Sequence, residues 1–316
     1  MTHNQNPEIT QCENCGGRHF DLAFSGGDKL LGVEGNFNIL KCQNCGIYLL
    51  SPKISSEEME KYYPEDYICY QEAIEDDENL FSRLDRENAF RKRCKIVTNR
   101  IKEPGTILDV GCATGLFLNE MKKLGWTVKG VEPNKNAANY AERRFGLDVF
   151  CGYLNEANLP DETYDVITLW DVLEHVPDAH QLMDEIYRLL KPGGLIIATL
   201  PNGEAWERYI FGEYWVGWEI PRHYRTHTPT TITNFLKEKS FDDIHIFSFI
   251  GRHGAFMLSV QFFLNTWQAA DWKKKFIKGL LGSLPFRILT HPLFLIAEVF
   301  NRSNIMSFSA NKPTRN

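Results

Sequence analysis

Five short apolar runs lie between Thr106 and Asn202, and most of them are followed by a segment of helical periodicity. The runs read TILDV, TVKGVE, LDVF, YDVITLW and LIIATL. Strands that alternate with helices predict a mostly parallel sheet with helices on both faces. Such sheets bind their ligands at the carboxyl ends of the strands. The sequence therefore predicts an α/β, doubly wound, Rossmann-like fold.

The first strand ends in Asp109 and is followed by Gly111 and Gly115. Gly111 allows a tight turn, and Gly115 lets ligand and helix approach without a Cβ between them. A dinucleotide loop would have a glycine where Ala113 stands, and the Gly-Lys-Ser/Thr of a Walker loop is missing. Glu132 ends the second strand about 20 residues further on, where a carboxylate can accept hydrogen bonds from both ribose hydroxyls. The pattern favours an adenosine ligand without a pyrophosphate.

Two Cys-x-x-Cys pairs precede this sheet, and 26 residues separate them. Their members are Cys12, Cys15, Cys42 and Cys45. Four thiolates at this spacing can bind a zinc ion tetrahedrally, and because no position stays open the zinc would be structural. HFDLAFSG and FNILKC predict two short strands in the spacer. The alternatives are unrelated thiols, or a redox pair, which normally begins a helix in a βαβ unit. The other cysteines are interpreted as small apolar side chains: Cys69, Cys94, Cys112 and Cys151.

The net charge of −6 and the pI near 5.9 argue against a nucleic-acid partner. The first residues, MTHNQNPEITQ, lack the cationic and then apolar pattern of a secretory signal. We therefore expect a cytoplasmic, reducing location, where cysteines act as thiols or metal ligands rather than disulfides.

Four motifs occur in the order and spacing typical of one enzyme family. ILDVGCATG, GVEPN, YDVITLWDVLEHV and LKPGGLIIATLPN resemble the successive motifs of class I S-adenosylmethionine-dependent methyltransferases over residues 105–250. DVLEHV with KPGG and PN is similar to the branch that contains the ubiquinone-biosynthesis O-methyltransferases. The cysteine pairs, YYPEDY and PRHY also resemble zinc-ribbon-bearing methyltransferases of polysaccharide and natural-product pathways.

The resemblance implies S-adenosyl-L-methionine as cofactor. Asp109 would orient its methionine end and Glu132 would bind its ribose. The lining positions implied are Gly111, Cys112, Ala113 and Gly115 at the methionine end, and Pro133 and Asn134 beside the adenine. Relatives often carry an acid after the third strand for the adenine amino group; here Leu154, Asn155 or Glu156 stands near that place.

Two clusters are candidates for the chemistry of methyl transfer, which for a hydroxyl acceptor needs proton removal. Asp171, Glu174 and His175 have the spacing of one helical face. They could hold a divalent cation such as Mg²⁺, or His175 could be the general base, or the three could be structural.

The second cluster lies in GEYWVGWEIPRHYRTHTP, which we expect to fold over the acceptor pocket with its aromatic residues as a wall. Pro221, Arg222 and His223 match a pattern common in relatives, whereas His227 stands where an aromatic residue is usual. His223 is the alternative base. The competing interpretation is that the aromatic residues only pack.

We therefore expect O-methylation of a small-molecule, glycan or lipid-linked acceptor. The alternatives are a zinc-containing sugar C-methyltransferase, an RNA-base methyltransferase and a non-catalytic cofactor-binding regulator. The acidic charge and the missing Asn/Asp-Pro-Pro-aromatic run after the fourth strand argue against the RNA enzyme.

The sequence predicts four parts. These are a zinc-ribbon-like module at 1–52, a helical connector at 53–104, a methyltransferase domain at 105–254 and 304–316, and an amphipathic helical insertion at 255–303. The insertion is far longer than a hairpin needs, and it combines apolar stretches, tryptophans and a lysine cluster. It could cover the cleft or form a dimer contact, or it could lie on the inner face of a membrane.

Overall fold

The computed structural model describes residues 8–63, 80–249 and 252–315, without the side chains of 56, 57, 80–86 and 252. Cys69, which was predicted to be a small apolar side chain, lies outside the described residues.

A seven-stranded, mostly parallel sheet forms the centre of the described chain. Its strands are β4 (Thr106–Val110), β5 (Thr127–Glu132), β6 (Val149–Cys151), β7 (Tyr164–Trp170), β8 (Leu190–Pro201), β10 (Asp242–Phe247) and β11 (Ile305–Asn311). Their order is β10-β11-β8-β7-β4-β5-β6. Strands β4 to β8 are parallel, and β11 pairs antiparallel with both β8 and β10. The predicted doubly wound sheet is confirmed, and its chain order reverses between β4 and β7, where ligands bind in such folds.

Helices cover both faces of this sheet. The described helices that precede β10 are α1 (Ser56–Met59), α2 (Leu80–Arg100), α3 (Leu116–Lys123), α4 (Lys135–Phe145), α5 (Ala179–Leu189), α6 (Trp206–Phe211) and α7 (Pro229–Glu238). One apolar core packs α5 and α7 on the sheet through residues such as Met183 and Phe235. A second core packs α2, α3 and α4 on the other face through Val97, Met121 and Ala138. Because both faces are covered, the parallel strands are apolar on both sides.

The N-terminal residues form a separate antiparallel sheet. Its strands are β1 (Phe20–Gly26), β2 (Phe37–Cys42), β3 (Tyr48–Ser51) and β9 (Arg225–Thr226), in the order β1-β2-β3-β9. We call residues 8–51 the N-terminal ribbon. Strand β9 belongs to the segment between α6 and α7, which we call the acceptor loop (residues 212–228). The ribbon and the acceptor loop therefore share one sheet, through the pairing of Tyr48 with Thr226 and of Leu49 with Arg225.

Three helices connect β10 to β11. They are α8 (Arg252–Thr266), α9 (Asp271–Gly282) and α10 (Leu284–Val299), together called the helical insertion. α8 packs against α6 and the acceptor loop, where the backbone N–H of Val216 donates to the Ser259 hydroxyl at 3.0 Å.

Candidate active site

The loop after β4 depends on glycines in the left-handed region. Gly111 and Gly115 have φ values of 70° and 76°, which glycine adopts without steric cost. A Cβ on Gly115 would lie 2.8 Å from the Ala141 Cβ, and one on Gly111 would lie 2.7 Å from Cγ2 of Val172. Gly115 thus lets α4 approach the loop, as predicted. Gly111 adds a contact that the sequence did not predict, with the segment that follows β7.

Glu132 is held rigidly at the end of β5. Its side chain is buried, and its two carboxylate oxygens accept hydrogen bonds from the backbone N–H groups of Ala113 and Asn134, both at 2.8 Å. Burial raises the pKa of Glu132, and these two hydrogen bonds oppose that shift. Each oxygen keeps a further lone pair, so the carboxylate can still accept from a diol.

Asp109 lies next to it at the end of β4, also buried. Its Oδ1 accepts a hydrogen bond from the Thr168 hydroxyl at 2.6 Å. Burial raises the pKa of Asp109 to about 7, although the Thr168 hydrogen bond and the nearby Arg93 charge lower it. A positively charged ligand would favour the ionised form of this carboxyl group.

The carboxyl groups of Asp109 and Glu132 fit S-adenosylmethionine. The ligand carries an ammonium and a sulfonium charge at one end and a ribose diol at the other. The buried carboxyl group of Asp109 can pair with the ammonium group, and the fixed carboxylate of Glu132 can accept from the diol. Both groups stand at the carboxyl edge of neighbouring strands, on either side of the left-handed loop.

The other predicted lining residues have side chains with their own roles. Cys112 is buried against Gly130 in the core, and the Asn134 side chain caps α4 by accepting from Ala137 at 2.9 Å. Leu154 is buried in the core, while Pro133 and Asn155 are exposed. Of the cysteines read as small apolar side chains, Cys94 and Cys112 are buried, but Cys151 is exposed. That prediction is therefore wrong for Cys151.

Three titratable side chains meet between the segment after β7 and the acceptor loop. Glu174, His175 and His223 bring one carboxylate oxygen and two ring nitrogens within 4.8 Å of one another. Oε2 of Glu174 is buried without a hydrogen-bond partner among the described residues. Nδ1 of His175 lies 2.7 Å from the Tyr63 hydroxyl, and Nδ1 of His223 lies 2.9 Å from the Gly217 carbonyl.

Burial sets the protonation of this group. It raises the pKa of Glu174 well above its usual range, with a further contribution from the Asp171 charge. It lowers the pKa of His175 to about 3 and also lowers the pKa of His223. Both imidazoles are therefore neutral at pH 7. Because a carbonyl only accepts, Nδ1 of His223 carries the hydrogen and Nε2 keeps its lone pair.

Asp171 does not join this group. It adopts a left-handed φ of 59°, and its carboxylate accepts from the Thr199 hydroxyl at 2.9 Å and from Arg93 at 3.3 Å. The residues after it form only a short 3₁₀ turn, Leu173–His175. The prediction that Asp171, Glu174 and His175 share one helical face is wrong, because no α-helix forms there.

Most aromatic residues of the acceptor loop are packed inside the protein, and Tyr214 is half-buried. Trp215 and Trp218 are buried in a core with Tyr48 of the ribbon, which favours the packing interpretation over a wall of the acceptor pocket. His227 is also buried, and it stacks on Phe235.

The site also depends on residues that the sequence did not single out. Arg225 pairs with Glu13, which lies between the first two cysteines, and it donates to the backbone carbonyls of Leu173, Val176 and Pro177. Thus a ribbon residue and the Glu174–His175 segment are held by one side chain. Arg222, which the sequence did single out, pairs with Asp28 of the ribbon at 2.7 Å. The PRHY motif contains Arg222 but not Arg225.

The four ribbon cysteines converge on one point. The Sγ atoms of Cys12 and Cys45 lie 3.7 Å apart, and those of Cys15 and Cys42 lie 3.6 Å apart. A tetrahedral zinc ion with Zn–S bonds of about 2.3 Å requires sulfur atoms about 3.8 Å apart. The donor chemistry and the spacing both fit a zinc ion.

The chain is similar to known methyltransferases. A ubiquinone biosynthesis O-methyltransferase of Maricaulis maris is 37% identical over 145 residues, which cover 42% of this chain and 57% of that protein. The Klebsiella pneumoniae (strain 342) enzyme of the same name is 31% identical over 161 residues, covering 46% and 64%. The chain thus spans less than two thirds of the length of these relatives. A crystal structure of an S-adenosylmethionine-dependent methyltransferase from Archaeoglobus fulgidus is similar, with a TM-score of 0.48 and 20% identity, over 74% of this chain and 98% of that one.

The family Methyltransf_23, described as a methyltransferase domain, matches residues 81–246, just over half of the chain. That range begins in α2 and ends in β10, so it includes Asp109, Glu132 and the Glu174–His175–His223 group. This chain belongs to that family, within the class I S-adenosylmethionine-dependent methyltransferases.

Proposed function

We propose that the protein transfers a methyl group from S-adenosylmethionine to a hydroxyl oxygen of a small-molecule, glycan or lipid-linked acceptor. The observation that carries this proposal is the close approach of Gly111 to Val172, since a Cβ on Gly111 would lie 2.7 Å from Cγ2 of Val172. The loop after β4 therefore lies beside the segment that continues into Glu174 and His175, which supports a cofactor next to these side chains. Similarity to O-methyltransferases of ubiquinone biosynthesis supports oxygen as the methylated atom.

Each residue of the site has a separate role in the proposed reaction. S-adenosylmethionine supplies a methyl group on a positively charged sulfur. Asp109 and Glu132 hold and orient it, which supplies the alignment that an in-line displacement requires. Nε2 of His223 would accept the hydroxyl proton of the acceptor, which would leave its oxygen a free lone pair toward the methyl group that the cofactor supplies. The Tyr63 hydroxyl fixes the ring of His175 beside it.

A divalent cation is the second candidate for activating the hydroxyl. The structure offers Glu174, His175 and His223 as ligands, in place of the predicted set with Asp171. One carboxylate and two imidazoles suit Zn²⁺ or Mn²⁺ better than Mg²⁺, which prefers oxygen ligands. Removal of metal by EDTA, with the ribbon zinc followed by elemental analysis, separates this scheme from the imidazole base.

The test measures cofactor binding by calorimetry and methyl transfer from radiolabelled S-adenosylmethionine to a panel of phenols, catechols and sugar alcohols. Matched amine analogues serve as competing acceptors. Glu132→Ala should weaken cofactor binding by about 1–3 kcal/mol because a buried diol loses its acceptor. Glu142→Ala, which is exposed on α4, is the control. Transfer to the amines and to none of the hydroxyl acceptors would overturn the proposed chemistry.

The base is tested separately. His223→Ala should reduce the rate of transfer roughly 10²–10⁴-fold, with cofactor affinity unchanged. The control is His245→Ala, since His245 is exposed on β10. An EDTA-treated enzyme that keeps its ribbon zinc by elemental analysis, is inactive and regains activity with Mn²⁺ would instead favour the cation. Full activity in both experiments would leave alignment as the source of catalysis.

We also infer that the four ribbon cysteines bind one structural zinc ion. The two sulfur–sulfur distances support it, and four protein ligands leave no position for a substrate.

A further inference from the structure

Large apolar side chains lie in solvent along the outer side of α9 and α10. We call them the apolar face: Trp272, Phe276 and Leu280 on α9, and Ile288, Leu289 and Val299 on α10. The α9 residues recur every fourth position and therefore share one side of the helix. Leu289 and Val299 are 77% and 78% exposed. Isolated exposed apolar residues are ordinary, but several large ones on two consecutive helices mark a contact surface.

The inner sides of α8 and α10 are packed, which leaves the exposed residues of α10 on the outer side, and α9 has no buried residue. Phe294 and Ala297 of α10 are buried, and the Phe294 ring lies 5.7 Å from that of Trp206 on α6. In α8, the Phe256 ring lies 5.4 Å from Phe211. The insertion therefore covers the body of the protein with one side only.

Positive charge borders the apolar face. Residues 252–299 contain only two acids, Asp271 and Glu298, whereas α9 carries Lys273, Lys274, Lys275 and Lys278. At 100° per residue, Lys273 and Lys275 lie on either side of the Trp272–Phe276 line. Apolar and tryptophan side chains bordered by lysines are the pattern of helices that lie in the headgroup region of an anionic membrane.

A second copy of the chain fits this surface less well. Self-association through α9 would bring two lysine clusters together, with Asp271 as the only acid on that helix. Anionic lipid headgroups supply the opposite charge. Among the described helices, none alone has the length and hydropathy to cross a bilayer, while α9 and α10 pass that test only together and are bent by 59° at their junction.

We propose that the apolar face docks on the surface of a bilayer that contains anionic lipids. Trp272, Phe276 and the α10 residues insert among the headgroups, and the lysines of α9 bind the lipid phosphates. This docking is independent of the proposed methyl transfer, and it is measured without any acceptor.

Flotation of the full chain tests the proposal. We expect it to float with vesicles of phosphatidylcholine mixed with phosphatidylglycerol, to float poorly with phosphatidylcholine alone, and to be released by high salt. Replacing Lys273, Lys274 and Lys275 by Gln should weaken binding to anionic vesicles by roughly 100-fold, since each lysine contributes about tenfold or less.

A double variant, Phe276→Ser with Leu289→Ser, should abolish flotation. The matched control is Leu22→Ser with Leu124→Ser, which removes two exposed leucines elsewhere. Unchanged S-adenosylmethionine affinity and melting temperature show that the variants fold. Failure of the wild-type chain to float with anionic vesicles overturns the proposal, as does normal flotation of the Phe276/Leu289 variant. Sedimentation of a dimer that this variant dissociates, without flotation, would assign the face to a second copy.

Discussion

The N-terminal ribbon and the helical insertion are both additions to the same seven-stranded sheet, but they are attached in opposite ways. The ribbon is held by a shared strand and by two ion pairs, Asp28–Arg222 and Glu13–Arg225, whose arginines are buried. The insertion is held mainly by aromatic packing around Trp206.

This difference has a physical consequence. Charge-assisted hydrogen bonds are directional and fix the position of each partner, whereas apolar packing depends mainly on buried area. The ribbon therefore determines where the acceptor loop lies. The insertion buries one side of α8 and α10 and leaves large apolar side chains of α9 and α10 in solvent. Four changes test this contrast, in order of decreasing effect.

Removing one zinc ligand should have the largest effect. We expect Cys42→Ser to lose one zinc ion per chain and to unfold the ribbon, because structural zinc supplies folding energy directly. Cofactor affinity should persist, since Asp109 and Glu132 are held by the central sheet. Elemental analysis measures the zinc content and calorimetry measures the cofactor affinity, with Cys151→Ser as control. Zinc-free wild-type protein, purified without chelator, would contradict this expectation.

Arg225→Met should have the next largest effect. It removes the buried arginine partner of Glu13, which keeps only Lys53, and it leaves three backbone carbonyls without their donor, so the free energy of unfolding should fall by about 3–5 kcal/mol. Arg302→Met is the matched change beside the insertion, where the pair with Glu204 is largely exposed and is worth about 0–1 kcal/mol. Urea unfolding compares the two variants. Equal losses would remove the contrast between the two attachments.

Glu207 in α6 gives a pH-dependent test on the insertion side. Burial raises the pKa of Glu207 from 4.5 to about 8, and the Asn304 side chain opposes the shift. The folded protein keeps this proton while the unfolded chain releases it, so stability is lost as pH rises from about 4.5 to about 8. The free energy of unfolding of Glu207→Gln, relative to that of the wild type, should therefore be about 1–3 kcal/mol higher at pH 8 than at pH 5. Thermal unfolding at both values measures the gain, and Glu142→Gln should show none.

The apolar face should contribute least to folding. Phe276→Ser should change the free energy of unfolding by less than about 0.5 kcal/mol, because the side chain is already in solvent. The matched change in the ribbon is Phe37→Ser, which should cost about 3–5 kcal/mol because Phe37 is buried. A large loss of unfolding free energy in Phe276→Ser would show that this side chain packs against the protein and contradict its exposure.

Local signals explain what the sequence could predict. The parallel strands, the glycine turn, Glu132 and the four cysteines each depend on residues close in the chain or on a fixed spacing. The pairs Asp28–Arg222 and Glu13–Arg225 join residues 194 and 212 positions apart, and no local pattern encodes them. The prediction that Asp171 shares a helical face with Glu174 and His175 was wrong for a different reason. DVLEHV has helical spacing, but a left-handed φ at Asp171 and its hydrogen bonds to Thr199 prevent a helix there. His223 joined the site only through the path of the acceptor loop.

The pairing of β3 with β9 bears on how the chain is made. Strand β3 leaves the ribosome long before Arg225 and Thr226 exist; at typical rates of synthesis the interval is on the order of 10–40 s. During that time one edge of β3 has no neighbour, and Asp28 and Glu13 have no arginine. An open edge is a site of intermolecular pairing. Fragments that stop short of residue 226, whether from interrupted translation or from cloning the ribbon alone, should therefore aggregate unless a substitute strand or a chaperone covers that edge.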